Sequence, residues 1–495
     1  MSAGLSRRFF LGGAVSAVAG AVFAQAPLVS PRPVARPAVP LGPEALRLAA
    51  GADALIARAR LGGAVSFAVA DAVSGELLEA RGANGMLPPA SVTKAVTALY
   101  ALEALGPQFR FRTRVVALGP VVDGEVIGDV ALVGSGDPVL DTDALASLVK
   151  QLKDQGISKV SGRFLTYAGA LPYTREIAPI QPDHLGYNPS VSGLNLNFNR
   201  VHFQWVRGES GWDVRMDARS ETLRPAVSVA RMKVVARDLP VYTYREAKGG
   251  VDEWTVAAGA LGNGGTRWLP VRRPDLYAGE VMQVLARGQG IALPKAQAVL
   301  HPPMGTDLAL HESPPLVEIV RGMLKYSTNL TAEVLGLTAS AAGSIEASAA
   351  QMTAWCRARL GAQGARFVDH SGLSDRSRVS VADLVRMLVR AGQDTALRDL
   401  MKEIAPRDGE GKTDAQPGFR IVAKTGSLNF VSTLAGYMVP ENGRPLAFAI
   451  LTADMPRRAA IAPEDMERPD GARGWSGRSR ALQHQLIHRW SLLHF

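Results

Sequence analysis

The spacing of apolar positions changes twice along this chain of 495 residues, which predicts three regions. From about 44 to 112 the pattern predicts a helix, two strands in "GAVSFAVADA" and "GELLEARG", and an apolar helix in "PPASVTKAVTALYALEALG". Between about 113 and 304, short runs of alternating apolar and polar residues are separated by glycines, which is typical of antiparallel strands. One helix, "DALASLVKQLKDQG", interrupts the strands of this middle region.

Helical spacing returns after about residue 305, in "PPLVEIVRGMLKYSTNLTAEVLGLTASAAG", "IEASAAQMTAWCRARLGA" and "SVADLVRMLVRAG". Three strands follow in "FRIVAKTG", "STLAGYMVP" and "LAFAILTAD", and the chain ends in an amphipathic helix, "RSRALQHQLIHRWSLL". We therefore predict an α/β fold in two parts, 44–112 and 305–495, split by a mainly β insertion at 113–304.

The N-terminal residues form a pattern of their own. Arg7 and Arg8 precede an apolar run at 9–24 that is too short to span a bilayer comfortably and ends in small residues. We interpret 1–26 as an export signal and 27–43, which is rich in proline, as a linker. The paired arginines resemble a twin-arginine signal, which predicts a periplasmic protein. An ordinary Sec signal and an uncleaved membrane anchor remain alternatives.

Composition narrows the class of protein. A hydrophobic fraction of 47% and a charged fraction of 20% fit a soluble globular chain. The net charge of +10 comes from scattered basic residues, mostly arginine, so we predict no nucleic-acid partner. Two interpretations of the basic charge stay open. One is weak attraction to an anionic wall or membrane surface, and the other is an arginine-rich composition with no role in binding. Cys356 is the only cysteine, which excludes an internal disulfide.

Ser91 and Lys94 lie three residues apart in the first predicted apolar helix, and therefore on one face of it. A serine hydroxyl is a poor nucleophile unless a base takes its proton. Lysine can be that base when burial or a nearby cation lowers its pKa, and the surrounding Ala, Val and Leu residues favour burial. The pair alone is a weak signal, since a chain of this length contains about one S-x-x-K by chance. Ser147 and Lys150 form a second S-x-x-K, which we interpret as a surface pair.

Two further motifs support the first pair. "KYSTNLTAEVLG" contains Ser327 and Asn329, and "VAKTGSLNF" contains Lys424, Thr425 and Gly426. The order S-x-x-K, S-x-N, K-T-G is the set found in penicillin-binding proteins and class A β-lactamases. A further S-x-N, Ser427 to Asn429, directly follows the K-T-G and has no role as that element.

Each element suits acyl transfer. Ser327 and Asn329 can hydrogen-bond the lysine and the substrate amide, and Ser327 can pass a proton to the leaving amine. Lys424 and Thr425 offer a cation and a hydroxyl to a substrate carboxylate. Gly426 lets a substrate lie against its strand as an added strand. The backbone N–H groups of Ser91 and Ser427 would form the oxyanion hole.

The chain resembles the class C low-molecular-mass penicillin-binding proteins, the D-alanyl-D-alanine carboxypeptidase/endopeptidases of the penicillin-binding protein 4 type. The resemblance covers roughly 45–455 and includes "LVGSGDPVL", "SPPLVEIVRGMLKYSTNLTAEVLG", "DHSGLSDRSRVS" and "VAKTGSLNFVSTLAGY". It implies a serine transpeptidase-like domain, an antiparallel sheet flanked by helices, with two inserted domains in the long segment between Lys94 and Ser327. It also implies a peptidoglycan stem-peptide substrate and covalent inhibition by β-lactams.

The sequence departs from the family in three places. Thr166 and Tyr167 stand where the family often has an aspartate, thought to meet the amino group of the stem peptide, so that contact is in doubt here. The segment "RDGEGKTDAQPGFR" ahead of the K-T-G strand differs from the usual glycine-rich one. The tail after about 456 is longer and more charged than we expect.

We predict a periplasmic serine-type D-Ala-D-Ala carboxypeptidase, endopeptidase or both, with no cofactor and no metal. The residue pattern does not separate these activities, since both use one acyl-enzyme. A β-lactamase and a non-catalytic penicillin-binding wall protein are the alternatives. His484 and His488 are spaced like metal ligands but lack a carboxylate partner, so we interpret them as a pair on a helix surface.

Changing Arg7 and Arg8 together to lysine should block export, because the twin-arginine route reads the arginine pair. Cell fractionation and immunoblotting would measure the protein outside the cytoplasmic membrane, with a Sec-exported protein as the control. Normal export of the double-lysine form would leave only the Sec route.

Overall fold

A six-stranded antiparallel sheet lies at the centre of the computed structural model, which describes residues 51–394, 396–408, 410–414 and 417–495. The predicted export signal and proline-rich linker, 1–43, lie outside the described residues. The strands are β1 (Ala64–Asp71), β2 (Leu77–Arg81), β3 (Arg112–Ala117), β4 (Val121–Val122), β5 (Glu125–Val126), β6 (Val130–Val133), β7 (Lys159–Val160), β8 (Phe164–Tyr167), β9 (Arg200–Gly208), β10 (Gly211–Asp217), β11 (Ala230–Val235), β12 (Tyr242–Ala247), β13 (Val251–Ala257), β14 (Gly264–Pro270), β15 (Ala296–Val299), β16 (Thr306–Glu312), β17 (Lys402–Ile404), β18 (Phe419–Leu428), β19 (Val431–Pro440) and β20 (Leu446–Ala453).

The helices connect these strands and cover both faces of the central sheet. The α-helices are α1 (Ala52–Ala59), α2 (Thr93–Leu105), α3 (Thr142–Asp154), α4 (Pro274–Gly288), α5 (Leu316–Tyr326), α6 (Asn329–Ser340), α7 (Ile345–Leu360), α8 (Val381–Asp394), α9 (Leu397–Leu400), α10 (Met455–Ala459) and α11 (Ala472–His494). Short 3₁₀ helices span Ala90–Val92, Asn197–Asn199, Ala258–Ala260 and Pro463–Asp465. Among the residues that are described, no helix is both long enough and apolar enough to cross a membrane.

The central sheet joins the two ends of the chain. Its strand order is β17-β18-β19-β20-β1-β2, and every neighbouring pair is antiparallel. Strand β1 pairs with β20 along its whole length, so the first and last regions build one sheet. This confirms the predicted fold class, an antiparallel sheet flanked by helices and interrupted by a mainly β segment.

Apolar side chains fill both faces of this sheet. On one face α2 and α5 to α8 pack together around residues such as Val96, Leu335 and Met352. On the other face α1 and α11 pack against β1, β18, β19 and β20, with Trp475 and Trp490 fully buried. The Trp475 indole N–H donates to the Leu61 carbonyl at 2.7 Å, so this large side chain is buried with its polar atom satisfied.

The middle region forms several smaller sheets. The largest is a five-stranded sheet with the order β15-β8-β6-β3-β16. Its adjacent strands β3 and β16 are antiparallel; the chain enters the middle region at β3 and leaves it after β16. Strand β16 (Thr306–Glu312) belongs to this sheet although it begins after residue 304, the predicted end of the insertion. The division of the chain into domains stays a prediction.

The sequence analysis predicted one helix between residues 113 and 304, and this was wrong, because α4 is a second α-helix there. Pro274 suits its first turn, and Tyr277, Val281 and Met282 are buried along one side. Gly279 lies inside this helix and faces β15. A Cβ at this position would lie 2.5 Å from the Cβ of Ala296, so the glycine allows α4 to approach β15 closely.

Strand β18 passes very close to the 3₁₀ turn Ala90–Val92 ahead of α2. The hydroxyl of Thr433, on β19, donates to the Pro89 carbonyl at 2.8 Å and joins the sheet to this turn. A Cβ on Gly426 would lie 2.2 Å from Thr433 Oγ1 and 2.8 Å from the Ser91 backbone nitrogen. The strand and the turn can therefore meet only because residue 426 has no side chain.

Gly426→Ala should lower the free energy of unfolding by about 1–3 kcal/mol, because the added methyl overpacks this contact. Urea denaturation would measure the change. Gly477→Ala is the matched control, since a Cβ at that helical position meets no atom within 4 Å. The control should gain about 0.5–1 kcal/mol from the better helix propensity of alanine. Equal behaviour of the two variants would contradict the close packing at Gly426.

Candidate active site

Ser91 lies in the 3₁₀ turn that leads into α2, and Lys94 lies in the first turn of α2 itself. The preceding residue, Ala90, has a φ of 47°, a left-handed conformation that costs energy for a residue with a Cβ. Ser91 is partly exposed, whereas the Lys94 side chain is completely buried. The Lys94 ammonium donates to Ser91 Oγ at 3.0 Å, so the nucleophile and the base predicted from the sequence are in direct contact.

Two more acceptors surround the Lys94 nitrogen. It donates to Asn329 Oδ1 at 2.7 Å and to the Ser371 carbonyl at 2.6 Å. Asn329 is the first residue of α6, and its amide nitrogen donates to the Tyr187 carbonyl at 2.8 Å. Because Tyr187 belongs to the middle region, that region sets which amide atom of Asn329 faces the lysine.

The pKa of Lys94 lies well below 10.5. Burial is the main cause and the neighbouring cation of Lys424 adds to it, whereas Glu333 and Asp369 act in the opposite direction. A lowered pKa makes it easier for Lys94 to become the neutral amine, which is the form able to accept the serine proton.

Lys424 is a second buried lysine, with 2% of its surface exposed. Its ammonium donates to Ser327 Oγ at 2.9 Å and to the Thr425 carbonyl at 2.7 Å. Burial and the nearby Lys402 lower the pKa of Lys424 to about 8. Ser327 ends α5 in a left-handed conformation with a φ of 60°, between the two lysine-bearing elements.

The K-T-G segment borders an open strand edge. Strand β17 pairs with β18 only at residues 421–423, so within the described chain Lys424 and the residues after it have no strand on that side. Thr425 and Ser427 are exposed, and Gly426 lies against the turn that carries Ser91. An extended peptide could pair with this edge and have its carbonyl group beside Ser91.

The structure thus brings Ser91, Lys94, Ser327, Asn329 and the segment 424–427 together, and Ser91, Ser327, Asn329 and Ser427 line one cleft. Its volume is about 880 Å³, within the range of ligand-binding clefts. Gln181 and Tyr187 of the middle region line it, as do residues 467–474 near the C-terminus. Tyr167 is not among the lining residues; it borders another cavity beside Arg112 and Arg114.

The remaining candidates lie elsewhere. Ser147 and Lys150 are exposed on α3, and Lys150 forms an ion pair with Asp154 at 2.6 Å. The amide of Asn429 donates to the Met466 carbonyl at 2.6 Å rather than to either lysine. In the part of the chain that is described, no group of three or more His, Cys, Asp or Glu residues is arranged to hold a metal ion.

Sequence reasoning missed the buried groups beneath the lysine. Glu333 is fully buried and accepts hydrogen bonds from the backbone N–H groups of His370 and Ser371, the latter at 2.8 Å. Asp369 accepts from the backbone N–H groups of Gly372 and Ser374. Burial raises the pKa of both carboxyls, that of Glu333 to about 8. The available signal was the acidic Glu333 four residues after Asn329 on an otherwise apolar helix.

The chain is similar to known carboxypeptidases. The sequence profile of the D-Ala-D-Ala carboxypeptidase 3 (S13) family matches residues 48–468. The D-alanyl-D-alanine carboxypeptidase DacB of Haemophilus influenzae is 26% identical over 402 residues, 76% of this chain and 83% of that protein. A D-alanyl-D-alanine carboxypeptidase of an Actinomadura species is 28% identical over 476 residues, 86% of each chain.

Solved structures resemble the fold. Penicillin-binding protein 4 (dacB) of Haemophilus influenzae superposes with a TM-score of 0.71, covering 88% of this chain and 99% of that one at 20% identity. The same protein in complex with a β-lactam superposes with a TM-score of 0.69. At this identity the likeness shows that the fold is shared.

Proposed function

The chain belongs to the D-Ala-D-Ala carboxypeptidase 3 (S13) family, and we propose that it hydrolyses peptidoglycan stem peptides through an acyl-enzyme on Ser91. The family makes it a serine-type D-alanyl-D-alanine carboxypeptidase. One observation carries the assignment of the residues: the ammonium of the fully buried Lys94 lies 3.0 Å from Ser91 Oγ. Removal of the terminal D-alanine, cleavage of cross-links, or both, fit this chemistry, because they differ only in the leaving amine.

Acylation uses the neutral form of Lys94. The amine takes the proton of Ser91 while Oγ attacks the carbonyl carbon of the penultimate D-alanine. The backbone N–H groups of Ser91 and Ser427 then bind the oxygen that becomes negative. The Ser327 hydroxyl, held by Lys424 at 2.9 Å, passes its proton to the leaving amine as the bond between that amine and the carbonyl carbon breaks. Ser327 takes in return the proton that Lys94 accepted from Ser91, so Lys94 is neutral again. Water, deprotonated by Lys94, then releases the acyl group as a carboxylate and restores the serine.

The strand edge would bind the substrate. The terminal carboxylate pairs with Lys424 and with the hydroxyl of Thr425, because a buried cation beside an exposed hydroxyl suits an anion. The peptide backbone lies beside Gly426 as an added strand. β-Lactams, which present a similar carboxylate and a reactive amide, would acylate the same serine.

A β-lactamase is the nearest alternative, since it uses the same residue types. The family match across 48–468, including the long middle region, favours the peptidase. Slow release of penicillin from the enzyme, followed over hours, fits the peptidase, whereas rapid turnover fits the lactamase. A protein that no fluorescent penicillin labels would instead support a non-catalytic role in the wall.

The proposed substrate also indicates where in the cell the protein acts. Peptidoglycan lies outside the cytoplasmic membrane, so an enzyme acting on it must be exported. Export by the twin-arginine route, from Arg7 and Arg8, is part of the proposal.

Penicillin should form a covalent adduct on the peptide that contains Ser91, and Ser91→Ala should abolish both the adduct and D-alanine release. Lys94→Ala should slow acylation by about 10³-fold or more, the scale on which a nucleophile depends on its base. Lys94→Arg should not rescue the rate, because a guanidinium does not give up its proton in a protein.

Intact-protein mass spectrometry after penicillin exposure measures these four forms of the enzyme. Ser147→Ala, in the surface S-x-x-K, is the matched control and should be labelled normally. An adduct that survives Ser91→Ala, or near-normal acylation in Lys94→Arg, would exclude the mechanism.

The value of kcat/KM for a D-Ala-D-Ala peptide should fall as pH rises through about 8, because Lys424 then loses the charge that binds the carboxylate. Lys424→Arg should move this fall to higher pH, since arginine stays protonated. Lys424→Ala should raise KM throughout and slow penicillin acylation. A peptide with a C-terminal amide is the control and should not show the fall. An unchanged alkaline limb in Lys424→Arg would remove Lys424 from carboxylate binding.

A further inference from the structure

Part of the cleft wall comes from a segment that none of the three catalytic motifs includes. Residues 466–471, which we call the strap, lie between the 3₁₀ helix Pro463–Asp465 and α11. Five consecutive strap residues, 467–471, line the same cleft as Ser91. The charged C-terminal tail therefore contributes directly to the substrate-binding surface.

Glu467 joins the strap to the middle region of the chain. Its carboxylate accepts hydrogen bonds from His184 Nε2 at 2.7 Å and from Arg267 Nη2 at 2.9 Å. Both partners pack on the ring of Tyr242, His184 with 4.8 Å between ring centroids and Arg267 with 4.8 Å from Cζ to the centroid. The hydrogen bond from His184 and that from Arg267 lower the pKa of Glu467 to about 2, so it is ionised over the physiological range.

The other attachment of the strap is at the end of β18. The Asn429 amide donates to the carbonyl of Met466 at 2.6 Å. Arg458, just ahead of the strap, pairs with Asp375 at 2.7 Å and donates to the Asn429 carbonyl at 3.0 Å. The strap is thus held both by the middle region and by the loop that follows the K-T-G strand.

The direction of a bound peptide follows from the roles proposed above. Its terminal carboxylate lies at Lys424 and Thr425, and its scissile carbonyl lies at the N–H of Ser427. The peptide therefore runs antiparallel to β18, and the residues on the amino side of the scissile bond continue toward Asn429 and the strap. At about 3.3 Å per residue, it is the residues preceding the penultimate D-alanine that extend toward this wall.

We infer that Glu467 is a positioning residue, which holds the strap where it binds the stem-peptide residues on the amino side of the scissile bond. This inference rests on the proposed function. The strap presents the exposed side chains of Arg468 and Asp470, neither of which forms an ion pair within the described residues. Charges of both signs suit a peptide segment that itself carries carboxylate and amino groups.

The test compares a long and a short substrate. Glu467→Ala should raise KM for a stem pentapeptide ending in D-Ala-D-Ala by about tenfold, with little change in kcat, because the charge-assisted hydrogen bonds that hold the wall are lost. Hydrolysis of N-acetyl-D-alanyl-D-alanine, which does not reach the strap, and acylation by penicillin should change far less. Glu467→Gln can still accept from Arg267 through Oε1 and can donate through its amide nitrogen to His184 Nε2 when that ring carries its proton on Nδ1, so it should recover most of the pentapeptide affinity.

Glu464→Ala is the matched control, because Glu464 is exposed in the 3₁₀ helix ahead of the strap, does not line the cleft, and forms no ion pair in the described structure. Equal losses on the long and the short substrate, or an unchanged KM for the pentapeptide, would overturn the inference. Lack of penicillin labelling would show that Glu467→Ala does not fold. In that case Arg267→Gln replaces it as the test, and it should raise KM for the pentapeptide. A wild-type enzyme without peptidase activity would contradict the proposed function instead.

Discussion

A lysine side chain without access to water is the constraint on which this site depends. Transfer of an ammonium out of water costs several kcal/mol even after relaxation, roughly the scale of the whole stability of a domain. Lys94 meets this cost with three acceptors, from Ser91, Asn329 and Ser371, and with two buried carboxyls in its vicinity. The acceptors come from three separate parts of the chain, so the lysine can be buried only when the outer fold is complete.

The same burial gives the lysine its chemistry. Lys424 adds a second buried cation, and each lysine donates to a serine, Lys94 to Ser91 and Lys424 to Ser327. Two like charges in a site of low polarity favour the loss of one proton, whereas Glu333 and Asp369 limit how far the pKa falls. The left-handed conformations of Ala90 and Ser327 place strain at the same point, which the packing around them must offset.

The sequence predicted those parts of the site that are local in the chain. Ser91 with Lys94, Ser327 with Asn329, and the K-T-G segment are short motifs whose spacing on a helix, turn or strand already indicates which side chains share a face. The contributions of Ser371, Tyr187 and Glu333 were missed because they depend on contacts between distant segments, such as the 277 residues that separate Lys94 from Ser371. The fold class followed from periodicity, but α4 was missed. It contains Gly279, and the reason for a glycine inside this helix, its close approach to β15, is visible only in the structure.

The middle region and the tail contribute to the site by backbone hydrogen bonds and ion pairs, and not by residues of the three motifs. Tyr187 acts on the catalytic amide by its carbonyl oxygen, an atom that every residue type offers, so no side-chain pattern could reveal the contact. Glu467 contacts His184 and Arg267 of the middle region, and its effect depends on where the tail runs. The proposed nucleophile and base thus lie three residues apart, whereas the shape of the cleft depends on segments hundreds of residues away. Changes in those segments can alter which peptide binds without touching the atoms that react.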